Sequence, residues 1–434
     1  MWRTVRIVTF VLAATGLAGC RTTAPVAVPD PPPSTIPPAP TLPEVKPKSF
    51  EPDLKSLPTL DVLSISPHPL SVDGVGTFRG LSAEQCRSYA VRAVSTAALL
   101  EQENAVPDCP PPKNQVPDPC RGSAVAFLKQ VRELAARSER NKAAAEALER
   151  FFQLADVEGR AEQLHLGMAV LDKYRDLVRR TDPGAVPPGT PNLDELDLKR
   201  ADSVRLLIAA EEAEAKLNLD LRRRIGLPAG TGERLWPLAD FKIPSRPIDE
   251  AAEVATGLEN RADLQILRLA YLQVSPGTLS SVKEILRGSG AVPMPGPIAS
   301  MLVRPRPVRS AVENWLNPPP CPDPCLVQEV AIRKQQLFDL IAAKERGAAD
   351  EIRSFVIGLR AQWSRVGLAR WKLDKARKAY DDWAKNKIGG DFAAYPLLIQ
   401  IHVARAEVID EVIGWHAARA KLLEAQGLLA EQNK

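Results

Sequence analysis

The chain has 434 residues, 45% of them hydrophobic and 25% charged, which is enough for a sizeable core and rules out a peptide or a disulfide-stapled miniprotein. Lys and Arg number 57 against 53 Asp and Glu, a formal charge of +4 that falls by two if Arg3 and Arg6 leave with an N-terminal leader. A balance so close to neutral makes no electrostatic case for nucleic acid.

Arg3 and Arg6 precede an apolar run at residues 7–17, which ends in Leu17, Ala18, Gly19 and Cys20. The pattern resembles the lipobox of a bacterial lipoprotein signal, in which residues 1–19 are removed and the Cys20 thiol takes a diacylglycerol. The run is too short to cross a hydrocarbon layer of ~30 Å as a helix, and no later stretch has about 18 consecutive apolar residues. Export with a lipid anchor follows, not a chain threaded through the membrane by helices. Arg21 stands where an Asp would retain such a lipoprotein at the inner membrane, so the resemblance implies the outer membrane with the body in the periplasm.

Residues 20–80 form the predicted lipidated Cys and Pro-rich linker, and residues 25–69 alone hold 14 prolines. Proline removes a donor and favours polyproline II, which suits a spacer between anchor and body. After lipidation of Cys20, five cysteines remain outside the reducing cytoplasm: Cys86, Cys109, Cys120, Cys321 and Cys325. Cys109 and Cys120 flank one Pro-rich stretch, and Cys321 and Cys325 sit in another. Oxidised loop clips are expected from these four, paired within each stretch or between the two. No His lies near either pair, so no metal and no cofactor is expected.

Residues 121–179 contain no proline, and Leu128, Val131, Leu148, Phe152, Ala155, Leu164, Met168 and Leu171 recur mostly three or four residues apart. A second such stretch covers residues 326 to about 387, with Leu337, Ile341, Ile352, Phe355, Leu359, Trp363 and Val366. Each predicts an amphipathic helix reaching about 90 Å at 1.5 Å per residue. A glycine-bearing turn and a return helix follow each one, at residues 193–225 and 392–429. Gly226 and Gly427 are expected to close the return helices in left-handed conformation. Shorter helical segments at residues 81–103 and 248–272 precede the long ones, so one order of elements occurs twice. Trp363, Trp371, Tyr380 and Trp383 are expected to pack on neighbouring helices. His402 and His416, 14 residues apart, could share a helix face but are expected as ordinary helix-surface histidines, and with no metal motif or nucleophile elbow beside His68, His165 or these two the chain is read as no enzyme.

This duplicated pattern resembles the TolC-type outer membrane factor family across about residues 81–430. The likeness is carried by Ile248-Asp249-Glu250-Ala251-Ala252, by Asn260-Arg261-Ala262-Asp263-Leu264, where Ala262 replaces the family's usual proline, and by Ile225-Gly226-Leu227-Pro228. The resemblance implies a mainly α fold of duplicated long antiparallel helical hairpins forming an oligomeric α-helical barrel. Its predicted parts are a first repeat at residues 81–228, an inter-repeat linker at 229–247 and a second repeat at 248–430. It further implies a homotrimer conducting solutes through a helical tunnel, with a periplasmic adaptor protein and an inner membrane pump as partners. Asp182, Lys385, Lys387 and Asp391, on the two hairpin turns, are the candidate adaptor contacts.

The chain departs from the family where it should insert membrane β-hairpins. A tilted membrane strand needs roughly 9 to 11 residues. The first break, residues 104–120, has 17 residues and six prolines and is too short for a hairpin. The second, residues 275–324, is long enough but punctuated by proline, and only Met301-Leu302-Val303 reads as a strand fragment. A reduced or absent β-barrel is expected. The reading is therefore a noncatalytic duct component of an efflux or secretion system, with a structural or adaptor periplasmic lipoprotein that kept the scaffold but lost the pore as the alternative.

Overall fold

The computed structural model describes residues 42–46, 69, 77–106, 121–228, 233–238, 241–243, 248–288, 324–387 and 389–430. The signal, Cys20, His68, Cys109, Cys120, Cys321, the strand fragment at residues 301–303 and most of both breaks lie outside them, as does the side chain of Cys325.

Three short strands form one open sheet: β1 (Glu44–Val45), β2 (Phe78–Ser82) and β3 (Arg234–Leu238), in the order β1-β2-β3. β1 runs antiparallel to β2, with Val45 opposite Phe78, and β2 runs parallel to β3, with Gly80 opposite Trp236. A parallel pair needs a crossover, and here the whole first helical repeat supplies it. Gly80 leaves room at the centre, where a Cβ would lie 2.3 Å from Leu238 Cδ1 and 2.7 Å from Val45 Cγ2 and both side chains would have to shift. The Phe78 and Trp236 rings meet edge to face at 5.3 Å, and Arg79 pairs with Glu233 at 2.9 Å. The sheet is thus drawn from segments read as linkers.

Both short helical segments are broken in two. α1 (Ala83–Ala93) starts on a capping box between Ser82 and Gln85 and passes to α2 (Ser95–Ala105) through extended Val94. α5 (Glu250–Asn260) passes to α6 (Ala262–Gln273) through Arg261, also extended, with φ −62° and ψ 121° against −74° and 100° at Val94. Ala262 is therefore the first residue of a helix, the position where the family's proline fits best. Arg261 holds the step by bonding the Asp263 and Glu351 carboxylates and the Ala425 carbonyl. α7 (Leu279–Gly288) turns the described start of the second break into helix, not strand.

The long helices are α3 (Arg121–Arg180), α4 (Leu193–Arg224), α8 (Pro324–Asn386) and α9 (Gly390–Ala425). α3 packs on α4 and α9, and α9 packs on α8, so the four form a layer in the order α4-α3-α9-α8. Among the described residues, α9 is the one helix long and apolar enough to cross a bilayer. Its place between α3 and α8 accounts for that character, since Val408, Ile409, Val412 and Ile413 are all buried there. Gly159 lets α3 close on it, because a Cβ would meet Ile409 Cγ2 at 2.6 Å.

Three apolar clusters lie along the layer. Phe127, Leu267, Val282, Leu286 and Leu337 join α3, α6, α7 and α8 at one end. Phe151, Leu154, Ile352, Leu359, Val408 and Val412 fill the middle. Leu171, Tyr174 and Leu196 take Tyr395 and Ile399 against them at the other end. From Phe127 to Tyr174, α3 therefore spans about 70 Å of continuous packing.

Both return helices end alike. Gly226 and Gly427 have φ of 72° and 77°, and the amides of Leu227 and Leu428 reach back to the carbonyls of Arg222 and Leu423 at 2.9 and 3.0 Å. These are the predicted left-handed caps, but they are not equally crowded. A Cβ on Gly226 would meet only the Ala93 methyl at 3.1 Å, whereas on Gly427 it would lie 2.9 Å from the Asn260 backbone carbonyl. Gly226→Ala should cost about 1–2 kcal/mol in chemical denaturation, the left-handed penalty alone. Gly427→Ala should cost more, because the α5–α6 step must also move. Equal losses would show that the step yields freely.

Candidate functional site

The layer has two outer helices, and both carry apolar residues on the face turned away from it. At about 100° per residue, Ile332, Ile357, Leu368 and Trp371 share one stripe of α8, opposite buried Ile352, Leu359, Val366 and Leu373. On α4, Leu198, Ile208 and Leu219 lie opposite buried Leu207 and Leu221. Leu198 is 67% exposed and Trp371 56%. Two stripes at opposite edges of one sheet of helices form an unpartnered surface, not scattered exposure. Trp363 is also half exposed, so within one chain neither it nor Trp371 is covered by a neighbouring helix in full. Tyr380 does pack on the core, with Trp383 5.3 Å away.

The two hairpin turns lie at the same end. Tyr174 of α3 stacks on Tyr395 of α9 with centroids 5.2 Å apart, and Leu196 of α4 joins them. In the first turn Thr181 donates to the Leu177 carbonyl, Thr190 to Pro187, and Asn192 caps α4 by accepting from Glu195 at 2.8 Å. The turn includes Pro183, Pro187, Pro188 and Pro191, so its shape is largely preset. The second turn relies on positive φ at Lys387, Gly389 and Gly390, and Trp383 Nε1 donates to the Gly390 carbonyl at 3.0 Å. The Lys387 ammonium sits 4.2 Å from the Trp383 ring centroid. Asp182, Lys385, Lys387 and Asp391 are all exposed at this end, and the structure brings them to one rim without pairing them to one another in any described bond.

Above α3, between α4 and α9, runs a groove of about 580 Å³ walled by Leu164, Met168, Leu206 and Val403. His402 lies on its floor and is not on a helix surface as expected: it is 7% exposed, with Nδ1 3.2 Å from Gln163 Oε1. Burial, and to a lesser degree Arg405, lowers its pKa to about 4. His416 departs from expectation in the same way. It lies against the Phe152, Phe241 and Trp415 rings, and burial takes it to about 4 despite a hydrogen bond with the Lys242 backbone. Helical spacing could have found both, because Glu407, Asp410, Glu411 and Lys421 gather on the other side of α9.

Cys86 is buried and free, with its thiol pKa raised by desolvation. Among the described residues no group of three or more His, Cys, Asp or Glu side chains is placed to hold a metal. The chemistry on view is packing, charge pairing and shape.

No protein-family model and no curated protein matches the sequence. Among solved structures, the chain is similar to the CmeC outer membrane channel of Campylobacter jejuni at TM-score 0.51 and 11% identity, over 81% of this chain and 87% of that one. The open-state MtrE outer membrane channel of Neisseria gonorrhoeae aligns at TM-score 0.49 and 11% identity, over 89% and 98%. VceC, an outer membrane protein of Vibrio cholerae, aligns at 0.45 and 13%, over 80% and 93%. Identity this low speaks for fold alone, and the CmeC alignment covers most of both chains. The fold is thus a divergent TolC-like fold, mainly α with four very long helices and a small open sheet.

Proposed function

We propose that the chain is a noncatalytic, outer-membrane-associated duct component of an efflux or secretion system, assembled as a homotrimer around a helical tunnel. The observation that carries this reading is the four-helix layer with an apolar stripe on each outer edge. Such a layer buries both stripes when α8 of one copy meets α4 of the next, and repetition of that contact closes a ring. Solutes would then move by tunnel geometry, with no reaction. The lipid on Cys20 would hold the assembly at the outer membrane. Asp182, Lys385, Lys387 and Asp391 would face a periplasmic adaptor, which in turn meets an inner membrane pump.

One observation favours the alternative of a structural or adaptor lipoprotein. The first break is too short for a membrane hairpin, and α7 takes the described start of the second, which shortens what that break leaves for strands. Dye flux through the purified full chain in liposomes, with an adaptor present, separates the two. The duct reading expects flux that falls when the four rim charges are reversed together. A stable assembly with no flux would establish the spacer.

A further inference from the structure

Helices α3 and α4 run antiparallel, and their seam is a ladder of opposite charges. Glu146 pairs with Arg224, Arg150 with Asp220 at 2.8 Å, Asp172 with Arg200 at 2.8 Å, and Arg175 with Asp197 at 2.5 Å. The same register sets Glu158 opposite Glu214, so one rung holds two acids. Both are buried, at 5% and 7% exposure, in a seam whose other rungs set acid against base. Two ionised carboxylates there would be acceptors only and would repel each other, which favours the protonated form of Glu158.

The rung touches the sheet directly. Arg234 of β3 bonds Glu214 at 3.0 Å, and one turn along α4 buried Asn218 accepts from the Leu235 amide at 2.7 Å. Glu158 Oε1 and Asn218 Nδ2 are buried without a partner. Glu214 from α4 and Arg234 from β3 are the charged groups that face Glu158. α9, on the other side of α3, turns Ile409 toward Gly159 and Asp410 toward Arg160. One guanidinium, itself partly exposed, therefore stands against two buried acids.

We propose that Glu158 holds a proton against Glu214 and that the pair forms a pH-sensitive latch fastening the α3–α4 hairpin to strand β3. When the proton leaves to solvent, two negative charges face each other in a buried seam with a single counter-charge. Repulsion then loosens α4 from α3 and, through Arg234 and Asn218, frees β3. Burial first and Glu214 second push the Glu158 carboxyl well above the usual range. A carboxyl raised in the folded state stabilises fully below its unfolded pKa, and that contribution is lost as pH rises through the folded value. The latch is closed in mild acid and opens toward alkaline pH, whether or not the assembly conducts solutes.

Hydrogen exchange on the full chain in detergent, corrected for the intrinsic pH dependence of amides, tests this. On going from mild acid to alkaline pH, amides of residues 207–221 and 233–238 should lose protection by about tenfold or more in the native chain. Glu158→Gln, which keeps a donor and removes the charge, should hold that protection constant. Infrared spectra give a second reading that needs no variant: a protonated carboxyl C=O stretch should persist above the pH at which exposed carboxyls have ionised. Constant protection in the native chain, the same pH dependence in Glu158→Gln, or no such persisting carboxyl would each overturn the latch.

Discussion

Placing glutamates at Leu368 and Trp371 on α8 should give a folded chain that no longer assembles. The two residues are 54% and 56% exposed, and they lie on the face of α8 opposite its buried stripe. Their loss removes little from the fold of one copy. The helix itself should not suffer, because a Glu at 371 stands four residues before Lys375 in the favourable order for an ion pair. In a closed ring, however, each seam would have to bury two carboxylates against the Ile208 and Leu219 stripe of the next copy. An uncompensated buried charge costs several kcal/mol, and at about 1.4 kcal/mol per tenfold two of them weaken a seam by more than about a thousandfold. Light scattering in detergent should report the mass of one chain, with helical circular dichroism unchanged. Ile208→Glu on α4 should act alike from the other side of the seam. If the doubly substituted chain keeps the assembly mass of the native one, these edges are not the seams and the ring must close elsewhere.

How much of this was legible in the sequence depends on the kind of signal. The long helices could be placed because proline and glycine punctuate them and their apolar residues recur at helical spacing over many turns. The ends expected at residues 179 and 225 fall one residue from those observed at Arg180 and Arg224. Gly226 and Gly427 could be assigned as caps because few residues other than glycine tolerate positive φ. The breaks at Val94 and Arg261 carry no proline or glycine of their own. Tertiary bonds hold the second of them, from Arg261 to Glu351 and Ala425, more than 80 residues away. β1 is only two residues long, too short for any alternation to register. The outer-edge stripes were hidden for a different reason. Spacing reveals that a helix has apolar residues, and a helix with two apolar stripes reads much like one with a broad single face. The Glu158–Glu214 rung needs the register of two helices, which no single-helix pattern contains.

Acid should destabilise the fold through His402 and His416, by on the order of 3 kcal/mol each when pH drops from about 7 to about 4. Both imidazoles titrate near 4 in the folded chain, against about 6.5 when exposed. A base whose pKa is lowered by folding binds its proton more readily in the unfolded chain. Across the window from 6.5 down to 4 the unfolded state takes up protons that the native state refuses, so stability falls with pH there and levels off below. The causes differ at the two sites. Protonating His402 would place a second cation beside Arg405, itself 6% exposed, with the neutral Gln163 amide at its Nδ1. Protonating His416 would put a charge among Phe152, Phe241 and Trp415, with Nε2 lacking any partner. His416→Phe keeps the ring packing and removes the base, so the acid slope of the melting temperature should flatten measurably. His402→Gln should flatten it further while retaining a neutral polar group toward Gln163. The Glu158 rung works in the opposite sense, losing stability as pH rises, and neither substitution should alter that alkaline limb. An acid slope unchanged in the double variant would place the proton uptake on other groups and return both histidines to ordinary solvation.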